Sequence, residues 1–221
     1  MNKMNNLKKS KVKPAQSETI RMFENNFLES LTHVHPSVPF ILYIPLVIFC
    51  VVVSFKWQLL GGLQILTWFA AGIFLWTLAE YILHRFLFHP PFKETYTKKL
   101  YFFIHGIHHD APNDATRLVM PPGASIPLAI AFYFLFRSVV PDVHLPLFAG
   151  FVTGYMVYDF IHFATHFFAW NFQWFTTLKS NHMQHHFQNS DKNFGVSSPI
   201  WDYLFLTKYN ARKHVAKQPI R

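Results

Sequence analysis

The sequence predicts an all-α integral membrane protein: four transmembrane helices in two hairpins, with a cytoplasmic helical cap that holds a histidine-rich dimetal site. Three observations carry this. The 221 residues are 51% hydrophobic and 19% aromatic but only 14% charged, too apolar and charge-poor for an ordinary soluble domain. The apolar residues collect into four nearly charge-free stretches, at 40–55, 57–83, 124–140 and 145–170. Ten of the fourteen histidines fall between positions 84 and 186, in four tight groups.

The length is that of one domain, and its elements follow in order. Residues 1–16 carry Lys3, Lys8, Lys9, Lys11 and Lys13 and read as a basic, disordered N-terminus able to lie on anionic headgroups. Over 17–36, Ile20, Phe23, Phe27 and Leu31 form one stripe, with Glu18, Arg21 and Glu24 elsewhere. That pattern predicts an amphipathic helix in the membrane interface, ended by Pro36 and Pro39. The membrane domain then runs over 37–207. Its second stretch, 27 residues, easily exceeds the roughly 20 that a bilayer needs; the first and third lie near the lower limit. The first is too far from the N-terminus, and followed by no small-residue cleavage site, to be a signal peptide. Short connections around Lys56 and at Pro141–His144 make the two hairpins. Residues 208–221 form a basic C-terminal tail.

The net charge of +9 invites a nucleic-acid reading, but its placement points to membrane orientation. The segment before the first span holds six Lys and Arg, the 84–123 loop five, and everything after residue 170 seven; only Lys56 and Arg137 fall near the other side. Eighteen of twenty on one side places both termini in the cytoplasm by the positive-inside rule, with membrane lipid rather than nucleic acid as the partner of the charge.

The ten clustered histidines are His84 and His89; His105, His108 and His109; His162 and His166; and His182, His185 and His186. Two groups share the spacing H-x-x-H-H. On a helix, residues i, i+3 and i+4 share a face, so each triplet is expected to aim three imidazoles at one point. Imidazole is the commonest metal ligand, and ten convergent rings exceed what one ion binds. Cys50 is the only cysteine, so nitrogen and oxygen must supply the donors. His33, His35, His144 and His214 stand apart and receive no role.

His84 and His89 are five apart, about 140° on an ideal helix, and Pro90–Pro91 follows. The second span is therefore expected to end near His84, with His89 swung back by an irregular turn. Glu80, one turn earlier, is positioned either to orient His84 or to snorkel. In the fourth span Tyr155, Asp159, His162 and His166 form one helical stripe. A carboxylate inside a membrane helix is costly and usually functional, so Asp159 is read as a partner of a ligand ring, and Tyr155 and Tyr158 as further partners or substrate lining. Nitrogen-rich sites with open positions suit iron(II) oxygen chemistry, and no nucleophile-elbow, Walker or dinucleotide-binding pattern suggests another reaction.

Four stretches carry a resemblance: H-R-F-L-F-H at 84–89, H-G-I-H-H-D-A-P-N-D-A-T-R-L-V-M-P-P at 105–122, G-Y-M-V-Y-D-F-I-H-F-A-T-H at 154–166, and H-M-Q-H-H-F with N-F-G-V-S-S-P-I-W-D-Y-L-F at 182–205. Over roughly residues 20–207 the chain resembles the membrane fatty acid hydroxylase superfamily (sterol desaturase/fatty acid hydroxylase), and within it the fatty acid 2-hydroxylase branch. The resemblance implies that all ten histidines ligate two iron ions, with O₂ as cosubstrate and hydroxylation at C2 of a fatty acid or ceramide acyl chain. Zinc would fill the same ligands in purified protein and leave it inactive. Animal and fungal relatives carry a fused cytochrome b5 domain with His-Pro-Gly-Gly; here that motif is absent and the 39 residues before the first span are too few to hold it. A separate electron donor is therefore expected: cytochrome b5-like, ferredoxin-like or a reductase. The competing readings are an acyl-lipid desaturase, a sterol or carotenoid hydroxylase and, outside enzymes, a metal transporter.

Overall fold

The computed structural model describes residues 19–57, 59–90 and 101–210. Four helices are long and apolar enough to cross a membrane: α2 (Val38–Lys56), α3 (Gly62–Ile82, continuing to Phe88), α5 (Pro122–Val139) and α6 (His144–Phe167). The chain is a multi-pass membrane protein. Short connections after Lys56 and at 140–143 join α2 to α3 and α5 to α6, giving the two expected hairpins. Outward-facing Ile41, Ile48, Phe55, Leu63, Phe74, Ile130 and Phe134 are unfavourable in water and matched to lipid.

Helix α6 is the centre of the bundle. It is buried along 72% of its span, against 17–22% for the other three, and packs chiefly on α3, then α2 and α5. Glycine permits the α3 contact. A Cβ on Gly150 would meet the Phe69 carbonyl oxygen at 1.9 Å, and one on Gly72 would meet the Leu147 carbonyl oxygen at 2.1 Å. Gly154, one turn beyond Gly150, accepts Trp76 against its backbone. Two backbones this close need small residues at the crossing. Around them Trp76, Phe136, Phe148, Phe151 and Val152 form the core.

The amphipathic helix expected over 17–36 is confined to α1 (Asn26–Ser30); the residues before Thr19 lie outside the described ones, as do the tail beyond 210 and the basic arm. Side chains claim the backbone that a longer helix would use. Glu29 accepts from the Met22 and Phe23 N–H groups, Arg21 donates to the Phe23 and Glu24 carbonyls, and Asn25 caps Phe27 and Leu28. Such local bonds compete with helix. The result is a strap with one short helical turn, not one continuous helix.

The strap is fastened to the 3₁₀ turn Ala115–Arg117. Buried Arg117 donates to Glu29 at 2.5 Å and to Thr32 at 2.9 Å, Thr19 donates to Asp114 at 2.6 Å, and the Val34 N–H reaches the Thr116 carbonyl at 2.8 Å. Two further helices complete the described chain beyond the short α4 (Ile107–Asp110): α7 (Gln173–Phe187) and α8 (Ile200–Leu204). Trp201 on α8 donates to Thr77 of α3 at 2.9 Å, so α8 lies against a membrane-spanning helix below its histidine-bearing end.

Candidate metal centre

The helix of the second span does not end at His84. It widens into π geometry over Leu83–Phe88, and the His89 N–H donates to the His84 carbonyl at 3.0 Å. An i→i+5 ladder brings residues five apart into register, and such bulges concentrate at functional sites. His84 and His89 thus converge, with ring centroids 5.1 Å apart. A second π stretch, Phe102–Gly106, precedes α4 and carries His105.

The structure gathers all ten histidines, but it corrects the expectation that each triplet serves one point. His84, His89, His105, His109 and His185 form one set, and His108, His162, His166, His182 and His186 the other. Each pair stays together; each triplet is split, its first and last members in one set and its middle member in the other. The α7 triplet shows why. On an α-helix His182 and His186 differ by about 40°, whereas His185 and His186 differ by about 100°. The middle ring must look elsewhere, and the two triplets exchange theirs.

Among the described residues the close contacts between histidine rings run from Nε2 to Nε2. In the first set these atoms stand 3.1 Å apart for His84 and His105, 3.1 Å for His105 and His109, 3.2 Å for His109 and His185, and 3.0 Å for His185 and His89. In the second they stand 2.9 Å apart for His108 and His162, 2.8 Å for His166 and His182, and 3.1 Å for His182 and His186. Nitrogens at right angles around an ion 2.1 Å away would lie about 3.0 Å from each other, against about 3.4 Å in a tetrahedron. The spacing and the five donors per set fit a five- or six-coordinate cation.

Proton accounting points the same way. The His84 Nδ1 donates to the Phe194 carbonyl at 2.5 Å, and the His185 Nδ1 to the Lys192 carbonyl at 2.7 Å. A carbonyl can only accept, so in the neutral rings both Nε2 atoms carry lone pairs. Between them run three contacts, His84 to His105 to His109 to His185. Donor and acceptor must alternate along such a chain, and with acceptors at both ends one contact is always repulsive. A cation bound between the rings removes the conflict.

Protonation does not relieve it. Burial lowers every histidine of the two sets that lies outside the spans, and neighbouring imidazoles add to the effect at His89, which falls to about 2, and at His109, which falls to about 3. His185 falls to about 4 despite its Lys192 carbonyl partner, and His105, His108, His182 and His186 drop as well. These rings stay neutral at physiological pH, the form a metal binds. His33, His35 and His144 bond instead to Thr116, Ser37 and the Pro141 carbonyl; His214 lies outside the described residues.

Beside the two sets opens a cavity of about 340 Å³. Its walls include His105 and His108, Tyr158 and Asp159 of α6, Met120, and Leu31 and Thr32 of the strap. Asp159 is 1% exposed. Among the described residues neither of its oxygens makes a well-formed hydrogen bond, and the nearby Tyr155 hydroxyl is likewise unsatisfied. The Tyr158 ring stacks on His162 at 5.7 Å, while Tyr155 packs edge-on against Tyr43 and Trp76. Asp159 therefore faces the cavity and makes no hydrogen bond to a ligand ring.

Ring orientation falls instead to groups that side-chain patterns do not reveal, the Phe194 and Lys192 carbonyls. Glu80 neither snorkels nor hydrogen-bonds to His84. It is 3% exposed and accepts from the Val196 N–H at 2.5 Å, the Ser197 N–H at 2.9 Å and the Ser197 hydroxyl, anchoring the turn that carries those carbonyls.

Residues 69–207 match the family model described as fatty acid hydroxylase. A fatty acid 2-hydroxylase of Macaca fascicularis is 35% identical over 221 positions, covering 90% of this chain and 59% of the relative's length. The dihydroceramide fatty acyl 2-hydroxylase FAH1 of Arabidopsis thaliana is 36% identical over 195 positions, covering 87% of this chain and 81% of FAH1. A solved structure of full-length Scs7p, in which only the hydroxylase domain is visible, superposes with a TM-score of 0.78 at 36% identity, over 89% of this chain and 73% of that one. With the family model matched over more than half its length and the same all-helical scaffold, the chain belongs to the fatty acid hydroxylase family.

Proposed function

We propose that this protein hydroxylates a long acyl chain with O₂, at C2 of a fatty acid or of the N-acyl chain of a ceramide. The observation that carries this is the pair of five-histidine sets opening directly onto the cavity that Tyr158, Asp159 and Met120 line. The relatives named above as fatty acid 2-hydroxylase and dihydroceramide fatty acyl 2-hydroxylase support the substrate class.

The ten histidines would hold two iron ions, which supply O₂ activation and C–H oxidation when bound; five nitrogen donors per ion suit iron(II) better than a closed tetrahedral zinc site. Zinc would fill the same donors without redox chemistry. The chain's own groups position the substrate. Met120 lines both the cavity and a narrower apolar crevice of about 20 Å³ that reaches Phe132, Phe151 and Tyr155 between the spans. An acyl chain entering from lipid would have to widen that crevice, and would place its polar end beside Tyr158 and toward Asp159, whose unpaired oxygens match an amide, carboxyl or hydroxyl group. The strap contributes Met22, Leu31 and Thr32 to the cavity wall and shields that side from bulk water. Two electrons per turnover come from a separate donor: cytochrome b5-like, ferredoxin-like or a reductase. Both termini lie in the cytoplasm, where the basic side collects.

The test is iron-loaded protein in nanodiscs with a reductase, ¹⁸O₂ and ceramide, read by mass spectrometry. A 2-hydroxyacyl product carrying one ¹⁸O is expected. A product hydroxylated at another carbon, or desaturated, would overturn the C2 assignment.

A further inference from the structure

The motif N-F-G-V-S-S-P-I-W-D at 193–202 supplies no metal ligand, yet it is bound into the centre from both sides. Asn193 takes a left-handed conformation, φ 55°, and a Cβ on Gly195 would meet the Ser198 carbonyl oxygen at 2.1 Å, so the turn is tight and backbone-determined. The peptide unit joining Phe194 to Gly195 is held at both ends. Its carbonyl accepts from His84 Nδ1 at 2.5 Å, and its N–H donates to Asp202 Oδ2 at 2.8 Å. Asp202 Oδ1 takes the Phe194 N–H at 2.9 Å and the Thr207 hydroxyl at 2.7 Å. Asp202 is 1% exposed, with no basic side chain among these partners.

Metal-bound imidazoles commonly hand their second N–H to a carboxylate, which fixes the ring and makes it a stronger donor. Here the carboxylate stands one peptide away. A negative charge accepting from one end of a peptide polarises it and strengthens the carbonyl at the other end as an acceptor. We propose that Asp202 is a positioning residue for the first histidine set, acting on His84 through the Phe194–Gly195 peptide. Glu80 grips the same turn at Val196 and Ser197 but is outside that relay, so it anchors the turn without tuning the ligand. The inference rests on metal binding by the two sets and concerns only one of them.

The contrast between two isosteric neutralisations tests it. Wild type, Asp202→Asn and Glu80→Gln are loaded with ⁵⁷Fe(II) in detergent and examined for iron content by mass spectrometry and for the two iron environments by Mössbauer spectroscopy. The iron of the first set is identified as the component lost in His84→Ala and kept in His162→Ala. Asp202→Asn is expected to change that component alone and weaken iron binding there about tenfold, at the lower end of the range for outer-shell partners. Glu80→Gln, which keeps an acceptor for both backbone N–H groups, is expected to leave both components unchanged. A folded Asp202→Asn protein with both components of wild-type position and content overturns the proposal; so does an equal change in both variants, which would mark a purely structural role. Should Asp202→Asn not accumulate, Thr207→Val decides, since it removes one donor from the same carboxylate: a shift in the first component supports the relay and an identical spectrum overturns it. Wild-type protein that binds no iron would instead refute the metal reading beneath it.

Discussion

His105 and His108 stand three residues apart on one continuous helical stretch, yet their Nε2 atoms face different histidine sets. His105 meets His84 at 3.1 Å, and His108 meets His162 at 2.9 Å. The α7 triplet mirrors this with His182 and His185. Each set is thus assembled from three parts of the chain, and neither can form without the other's helix in place. His108→Ala and His185→Ala should each cut hydroxylation by more than about a hundredfold, beyond the range for outer-shell partners. Because the proposed reaction needs both sets as one centre, the double variant should be no worse than either single one. Steady-state product formation checks both; an additive double variant would contradict a single shared centre.

Asp159 and Tyr158 line the cavity without ligating. Asp159→Asn and Tyr158→Phe should therefore keep wild-type iron content while lowering kcat/KM for ceramide about 10- to 100-fold, the cost of one or two unmade hydrogen bonds to a buried polar group. Iron analysis alongside kinetics separates the two effects. Unchanged kinetics in Asp159→Asn would remove it from the substrate path.

The spans, their hairpins and the ten converging histidines were legible in the sequence because hydropathy length and residue type report them directly. The partition of the triplets was not. Spacing says that i, i+3 and i+4 share a broad face, but whether His108 and His109 meet one ion or two depends on which neighbouring helix stands about 100° away. The π stretch at Leu83–Phe88 left one trace, the five-residue gap between His84 and His89, since Leu, Arg and Phe serve α and π geometry alike. The strap's apolar period reads as a longer helix than α1 because periodicity does not show that Glu29 and Arg21 bind the backbone instead. The Phe194 and Lys192 carbonyls left no side-chain signal at all.

Gly150 sets how closely the central helix approaches α3. Gly150→Ala places a methyl group 1.9 Å from the Phe69 carbonyl oxygen, and both atoms belong to or adjoin rigid helix backbone. Overpacking of this kind costs about 1–3 kcal/mol, or a fall of roughly 2–10 °C in the Tm of a chain this size. Thermal unfolding in detergent should show it. Gly123→Ala, whose Cβ would meet nothing within 4 Å, should leave the Tm unchanged.

The strap's clasp should respond to acid in a definite direction. Burial alone would raise the Glu29 carboxyl, but the Phe23 and Met22 N–H groups, His33 and Arg117 outweigh it and hold the group at about 2, below its ordinary 4.5. Burial also opposes ionisation of Asp114, and bonds from Thr19 and Thr116 together with the Arg117 charge still bring it below its ordinary value. A carboxylate depressed in the folded state binds fewer protons there than when released, so its contribution is whole above 4.5 and is lost as pH falls toward 2. Limited proteolysis within Met22–Phe27 should therefore accelerate as pH drops through that window. Arg117→Ala should expose the same cleavage at pH 7, and raise KM for ceramide more than it lowers kcat, because the strap carries Leu31 and Thr32 into the cavity wall. Glu29→Gln should flatten the acid response. If cleavage in that variant still rises below pH 4.5 as in wild type, the clasp is not what holds the strap over the cavity.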